Sequence, residues 1–402
     1  MQLRSLCMFV IAAALPLPTF AQHSPRASEA DAYTRYELLA PGSAKFRIIY
    51  EVTATTPSAK YYFNPIRKGS IASDESVVDR ATGKPLVFEE VGAGAARAEG
   101  VRVSDSTQRY IRVTLTRPVP ANDGEQRLLI LKTYEDALSS FTKGDTIVFS
   151  RGLGIKRNAV VLPAGYEFVS STFPAQVLQE KDGRVGITFW NATPTEALVT
   201  LKAVKTSRAV SGGSSVASRL QERSHQDREI TYFLQQPETH AFDLYHDYTE
   251  SRAGVSNYIN IVRAGSTVSK PSARNLDTGD TLSWQILKGD AITKAKLDVP
   301  DVKPETEIVV FRFPQVVAGS SVRIRMFETY TDAARYRLDG DELIWDRSFG
   351  RPINNVVLPT GWILTNSSVP AVVTTRADGR VQLEFVNPRL DEISVLITAK
   401  RR

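Results

Sequence analysis

Apolar and polar residues alternate along several short stretches of the chain. Phe46, Ile48, Tyr50 and Val52 stand at every second position, as do Phe242, Leu244, His246 and Tyr248. Side chains of that period leave one face of an extended backbone, so each run predicts a strand with one face on a core. Ile111, Val113 and Leu115 follow the same pattern, and so do Val185, Ile187 and Phe189 and, far downstream, Val381, Leu383 and Phe385. Turn residues separate the runs: Asn122-Asp123-Gly124, Lys143-Gly144-Asp145, Asp182-Gly183, Asp339-Gly340 and Asp378-Gly379. Glycine takes the positive φ that tight hairpins demand, so these points are expected to be chain reversals. No stretch of similar length carries apolar residues at three- and four-residue spacing, the mark of a core-facing helix. The expectation is an all-β protein of many short strands, sandwich-like in architecture.

The pattern occurs twice. A constant offset of 196 residues takes Tyr36 to Tyr232 and Thr133 to Thr329, and the segment from Tyr36 to Lys205 aligns without a gap on Tyr232 to Arg401. Pro41/Pro237, Phe46/Phe242, Tyr62/Tyr258, Asn64/Asn260, Arg67/Arg263 and Gly69/Gly265 all fall in register. So long a period exceeds a solenoid repeat or a propeller blade, so each copy is expected to be a domain with its own core. Two tandem β-sandwich-like domains related by internal duplication are therefore expected, over 36–205 and 232–402. The connecting residues 206–231 read first as a flexible linker, SRAVSGGSSVAS, and then as a charged stretch, RLQERSHQDRE, suited to a short exposed helix.

The beginning of the chain has the three parts of a secretory signal over 1–21: Arg4, an apolar run from Leu6 to Leu15, and small residues before a cleavage point after Ala21. A flexible segment is expected over 22–35. The apolar run is much shorter than the roughly 20 residues a spanning helix needs, so no transmembrane span is expected in the mature chain. Cys7, the one cysteine, lies in the signal, so the mature chain is expected to be cysteine-free, without disulfides or thiolate chemistry. The formal charge of +6 arises from 50 basic and 44 acidic residues, and falls to +5 on loss of Arg4. The basic residues are dispersed except for Lys400-Arg401-Arg402, so no nucleic-acid partner is expected.

The segment Asn158–Leu178, NAVVLPAGYEFVSSTFPAQVL, followed by Asp182-Gly183-Arg184, resembles uncharacterised secreted bacterial proteins with duplicated β-sandwich domains. That resemblance covers most of both copies and implies no activity. More faintly, Val160-Val161-Leu162-Pro163-Ala164-Gly165-Tyr166 is similar to the non-catalytic β-rich N-terminal domain of zinc aminopeptidases. The HExxH helix of those enzymes is missing, and no catalysis is carried across.

Candidate chemistry is sparse. His23 and His225 fall in expected tail and linker, His246 takes the place of Tyr50 on an inward stripe, and His240 stands at a strand approach, more exposed. No metal and no cofactor is expected: the turn Asp339-Gly340-Asp341-Glu342 lacks the full spacing of a calcium loop. Nucleophile-elbow and phosphate-loop motifs are missing too, and no catalytic residue is assigned. One polar set occurs in both copies: Arg67/Arg263, Tyr134/Tyr330, Asp136/Asp332, Arg151/Arg347 and Asn158/Asn354. It suits a binding pocket in which an arginine fork holds a carboxylate or sugar hydroxyl, or, as the favoured reading, an internal Arg–Asp pair with asparagine shaping a turn. The sequence thus points to an exported, non-enzymatic binding or scaffold protein of the cell envelope, periplasmic or extracellular. Its expected partner is an envelope protein or an extracellular polymer. The alternative is a carbohydrate-binding protein or hydrolase using an interdomain cleft, with Trp190, Trp284, Trp345 and Trp362 stacking on sugar rings.

Overall fold

The computed structural model describes residues 33–121, 124–192, 195–206 and 221–402. The expected signal over 1–21 with Cys7, His23 and the Gly/Ser stretch of the linker lie outside the described residues. What is described is nearly all β, as expected.

In the first half, seven strands form one sheet. Their order is Gln176–Gln179, Val185–Trp190, Arg157–Val161, Tyr33–Leu38, Lys45–Ala54, Gln126–Glu135 and Ile71–Asp79. Strand alternation places Phe46, Ile48, Val52 and Ala54 on one face, and that face is covered by two smaller sheets. Phe46, Val160, Ile187 and Phe189 pack against Phe149, Val199 and Leu201 of a four-stranded sheet. Val52, Val77, Leu128 and Ile130 pack against Ile111 and Val113 of a three-stranded one. Full burial of each such side chain contributes about 1.5–3 kcal/mol, which makes the two shared cores the main source of stability.

The second half follows the same strand order, with Thr281–Leu282 added at one edge. Lys45–Ala54 corresponds to Ala241–Glu250 and Gln126–Glu135 to Val322–Thr331, and Phe46 faces Tyr134 across the ladder as Phe242 faces Tyr330. One strand breaks the constant offset. Tyr61 pairs with Thr114, but Asn257 pairs with Arg312, so Arg109–Thr114 and Glu307–Arg312 are 198 residues apart and not 196. The ungapped alignment is wrong there, because length differences on either side of the strand cancel. A two-residue slip keeps every side chain on its own face. Val309 and Phe311 thereby take the buried places of Ile111 and Val113.

Two boundaries differ from expectation. The first strand begins at Tyr33, inside the segment expected to be flexible, because the Tyr33 ring is buried and its hydroxyl donates to Glu222 at 2.6 Å. The described residues of the charged stretch after the linker, 221–229, form no helix. Arg223 and Ser224 are buried, and the chain extends into the strand Arg228–Leu234. Hairpins form at four of the expected points, at Asp182-Gly183 and Asp378-Gly379 and, as two-residue turns with Gly144 and Gly340 at φ of 60° and 61°, at Lys143-Gly144-Asp145 and Asp339-Gly340. Asn122 and Asp123 lie outside the described residues, and Gly124 leads between strands of two different sheets without a positive φ, so no hairpin forms there.

Candidate functional site: polar clusters and an ionic seam

The repeated polar set is built into each half. Asp136 follows the strand Gln126–Glu135 and accepts hydrogen bonds from the backbone of Leu138 and Ser139, from the hydroxyls of Ser139 and Ser70, and from Arg151 Nη1 at 3.1 Å. Burial opposes ionisation of Asp136, but the Ser139 and Ser70 hydrogen bonds and the Arg151 charge outweigh it and hold the carboxyl below its ordinary range. The Arg151 guanidinium lies over the rings of Phe46, Tyr36 and Tyr134. In the second half Arg347 Nη1 stands 3.4 Å from Asp332, Ser266 donates to Asp332 at 2.8 Å, and Arg347 lies over Phe242 and Trp345.

Arg67 and Arg263 border these clusters. Arg67 donates its backbone N–H to the Tyr134 hydroxyl and its side chain to the Gly152 carbonyl, while Arg263 donates to both oxygens of Ser348. Asn158 and Asn354 are elsewhere, fastening turns through hydrogen bonds to the carbonyls of Ile155 and Arg351. The structure therefore brings Tyr134, Asp136 and Arg151 together, with Arg67 at the margin, and leaves Asn158 apart.

A second polar system went unread in the sequence. Arg127 reaches across from the first half and places Nε 2.7 Å from Asp277 Oδ1 and Nη2 2.8 Å from Oδ2, with both side chains about nineteen-twentieths buried. Arg325 forks onto Asp247 at 2.7 and 2.8 Å, and the fully buried Arg323 stands 2.8 Å from Asp227, 3.8 Å from Asp247 and 3.8 Å from Glu125. His225 meets Glu51 at 3.3 Å, and Lys156 meets Glu384 at 2.6 Å. The hydrogen bond to Glu51 raises the pKa of His225, while the carboxyl of Glu229 is pushed up by burial.

Arg127, Asp247, Arg323 and Arg325 project from the strand faces opposite the apolar ones, while Asp277, Asp227 and Glu125 reach them from turns and connecting segments. Arg127 alternates with the buried Leu128, and Arg323 and Arg325 with Ile324 and Met326. In sequence this is the pattern of a half-solvated strand. Nothing in it tells a wet face from one buried against another half of the same chain.

The seam is also reciprocal. The Glu125 N–H donates to the Leu276 carbonyl at 2.8 Å, and the Ser321 hydroxyl donates to the Arg80 carbonyl at 2.8 Å. The offset of 196 converts one pair into the other. The same surfaces thus meet twice, as across a two-fold axis. Asp277 breaks the symmetry, since its counterpart is Ala81.

Lys132 and Glu328 also correspond, with opposite charge. Lys132 donates to Asn64, and Glu328 accepts from Asn260 at 2.6 Å. Burial pushes Lys132 down to about 8 and Glu328 up to about 8.

The tryptophans do not form a stacking platform. Trp345 and Trp362 are core residues, Trp190 is half-buried, and Trp284 is 45% exposed on the strand Trp284–Lys288. His246 is buried, as expected, and its pKa is held well below the ordinary range by burial and by nearby arginines. His240 is half-buried, not exposed, with Nδ1 2.9 Å from the Tyr336 carbonyl. Among the described residues no cluster of three or more His, Cys, Asp or Glu could hold a metal, and no helix is long and apolar enough to cross a membrane.

No family model matches the chain, and no curated protein matches it. Among solved structures, an aminopeptidase N family protein from Idiomarina loihiensis aligns at a TM-score of 0.26 and 9% identity, over 42% of this chain and 29% of that one. The chain thus spans less than a third of that protein's length. A collagen adhesin from S. aureus aligns at a TM-score of 0.17 and 11% identity, over 78% of this chain and 81% of the adhesin.

Proposed function

We propose that this chain is an exported, non-enzymatic binding or scaffold protein of the cell envelope, acting in the periplasm or outside the cell on an envelope protein or an extracellular polymer. The seam supports this reading. Arg127, Arg323 and Arg325 are buried in ion pairs that span the two halves or brace their junction, so the halves are held as one body of fixed geometry. Such a body presents widely spaced surfaces at constant separation, which suits bridging or display. The repeated polar set is engaged in hydrogen bonds within each half, which fits its structural reading.

The test is a pull-down of the mature protein, tagged at the C-terminus, from envelope extract, together with a thermal-shift screen of metals and oligosaccharides. A partner retained by the native protein and lost when the seam is broken by the double change Arg127→Ala and Asp277→Ala supports the proposal. Turnover of an oligosaccharide, or a saturable rise in melting temperature with one, overturns it in favour of a carbohydrate-binding protein or hydrolase working in an interdomain cleft.

A further inference from the structure

Where the connecting segment enters the second half, three arginines line one open pocket of about 390 Å³. They are Arg223, Arg228 and Arg351, joined by Gln226, Gly350 and Pro352. Arginines elsewhere in the protein are commonly matched with carboxylates, as at Arg127, Arg151 and Arg325. Here, among the described residues, no carboxylate lies within ion-pair distance of any of the three.

Their contacts are with neutral groups. Arg223 is 4% exposed and donates to the Gln226 side chain at 2.8 Å and to the Gly350 carbonyl at 3.1 Å. Arg228 and Arg351 both donate to the Tyr258 hydroxyl, at 3.1 and 3.4 Å, and Arg228 lies over the Tyr248 ring. The buried Nε of each arginine has no hydrogen-bond partner. Arg223 and Arg228 are both held below the ordinary arginine pKa, first by burial and then by other arginines of the group, Arg351 among them. His246, 3.4 Å from the same Tyr258 hydroxyl, is pushed well below its ordinary range by burial and then by Arg351 and Arg228, and it has no negative charge with which to offset them. Three like charges converging on a polar cavity are costly unless an anion joins them.

The cluster belongs to one copy only. The position of Arg351 is Ile155 in the first half, that of Pro352 is Lys156, and that of His246 is Tyr50. The fold of the repeat therefore does not require it, unlike the Arg151/Arg347 pair.

We propose that this pocket is a binding site for a multivalent oxyanion group, phosphate or clustered carboxylates, carried on a small organic molecule. Guanidinium forks match the oxygen geometry of both groups, and three of them favour a ligand with at least two negative charges. The pocket is larger than one inorganic anion, which leaves room for the body of the molecule. This inference does not depend on the scaffold reading.

The test is isothermal titration of the full mature chain with sodium phosphate, sodium citrate and glucose 6-phosphate, at constant ionic strength. The expected result is saturable one-site binding of at least one of them, with the organic anions tighter than inorganic phosphate. Inorganic phosphate binding as tightly as glucose 6-phosphate would overturn the small-molecule assignment. Arg351→Gln should weaken binding at least tenfold. Lys181→Gln, which removes the same charge at an exposed turn, should leave it unchanged. Arg228→Gln is the second variant should Arg351→Gln fail to fold, and circular dichroism checks both. No saturable binding by any of the three anions, or equal weakening by Lys181→Gln, would overturn the proposal.

Discussion

The two oxygens of Asp277 accept a paired hydrogen bond from Arg127, a residue 150 positions earlier in the chain and in the other half of the protein. Around this fork the chain's two halves meet through the same surfaces twice over, with Glu125 on Leu276 and Ser321 on Arg80. Only one of the two equivalent places carries the aspartate.

Arg127→Ala should therefore be strongly destabilising, by about 3–5 kcal/mol, because it strands the Asp277 carboxylate in a buried site. The double change Arg127→Met and Asp277→Leu should recover most of that loss, since it leaves neither charge unpaired. Urea denaturation of the single and double variants measures both; a small effect of the single change would show that the seam is wet.

Gly83 reports on how close the halves lie. A Cβ added there would sit 2.4 Å from the Gly319 carbonyl oxygen, and the backbone stands at φ +71°. Gly69 has a similar φ of +83° with nothing within 4 Å. Gly69→Ala should cost the conformational term alone, about 1–2 kcal/mol, whereas Gly83→Ala should cost clearly more. Comparing the two melting curves isolates the contact from the backbone strain.

Lys132 and Glu328 give opposite pH signatures. The folded Glu328 carboxyl, pushed up to about 8, keeps a proton that the unfolded chain loses near its ordinary value of 4.5. Its contribution makes stability fall as pH rises between about 4.5 and 8, by at most about 1.4 kcal/mol per pH unit. Glu328→Gln should flatten that slope and be the more stable protein at pH 9. Lys132, pushed down to about 8 from 10.5, carries its full burial penalty below pH 8, and stability recovers between about 8 and 10.5. Lys132→Met should gain stability at pH 7 and lose that advantage above pH 8. Denaturation series from pH 5 to 10 on both variants decide the signs.

The tryptophans should separate by environment. Trp345, fully buried against Phe242, Tyr232 and Tyr336, should cost about 3–5 kcal/mol on change to alanine. Trp284→Ala should change stability by about 0.5 kcal/mol or less and remove most of the acrylamide-quenchable fluorescence. Quenchable emission that survives Trp284→Ala would place another tryptophan at the surface.

Several features needed no structure. The alternation at Phe46, Ile48 and Val52 identified strands and the face they bury, because a two-residue period fits no other backbone. The Asp-Gly turns identified hairpins, because only glycine takes those φ values without strain. The repeat at Tyr36/Tyr232 and Thr133/Thr329 followed from identity alone, and the set at Arg151 and Asp136 was visible because both halves keep it. What lay on the other face of each strand was decided by tertiary structure. In sequence Arg127, Asp247 and Arg325 stand in the pattern of a half-solvated strand and drew no assignment, since a charge facing water and a charge in a buried pair are the same letter. The 198-residue offset at Glu307–Arg312 was hidden because a slip of two residues leaves the pattern of buried and exposed positions intact. The convergence of Arg223, Arg228 and Arg351 was hidden because residues more than a hundred positions apart become neighbours only once the chain has folded.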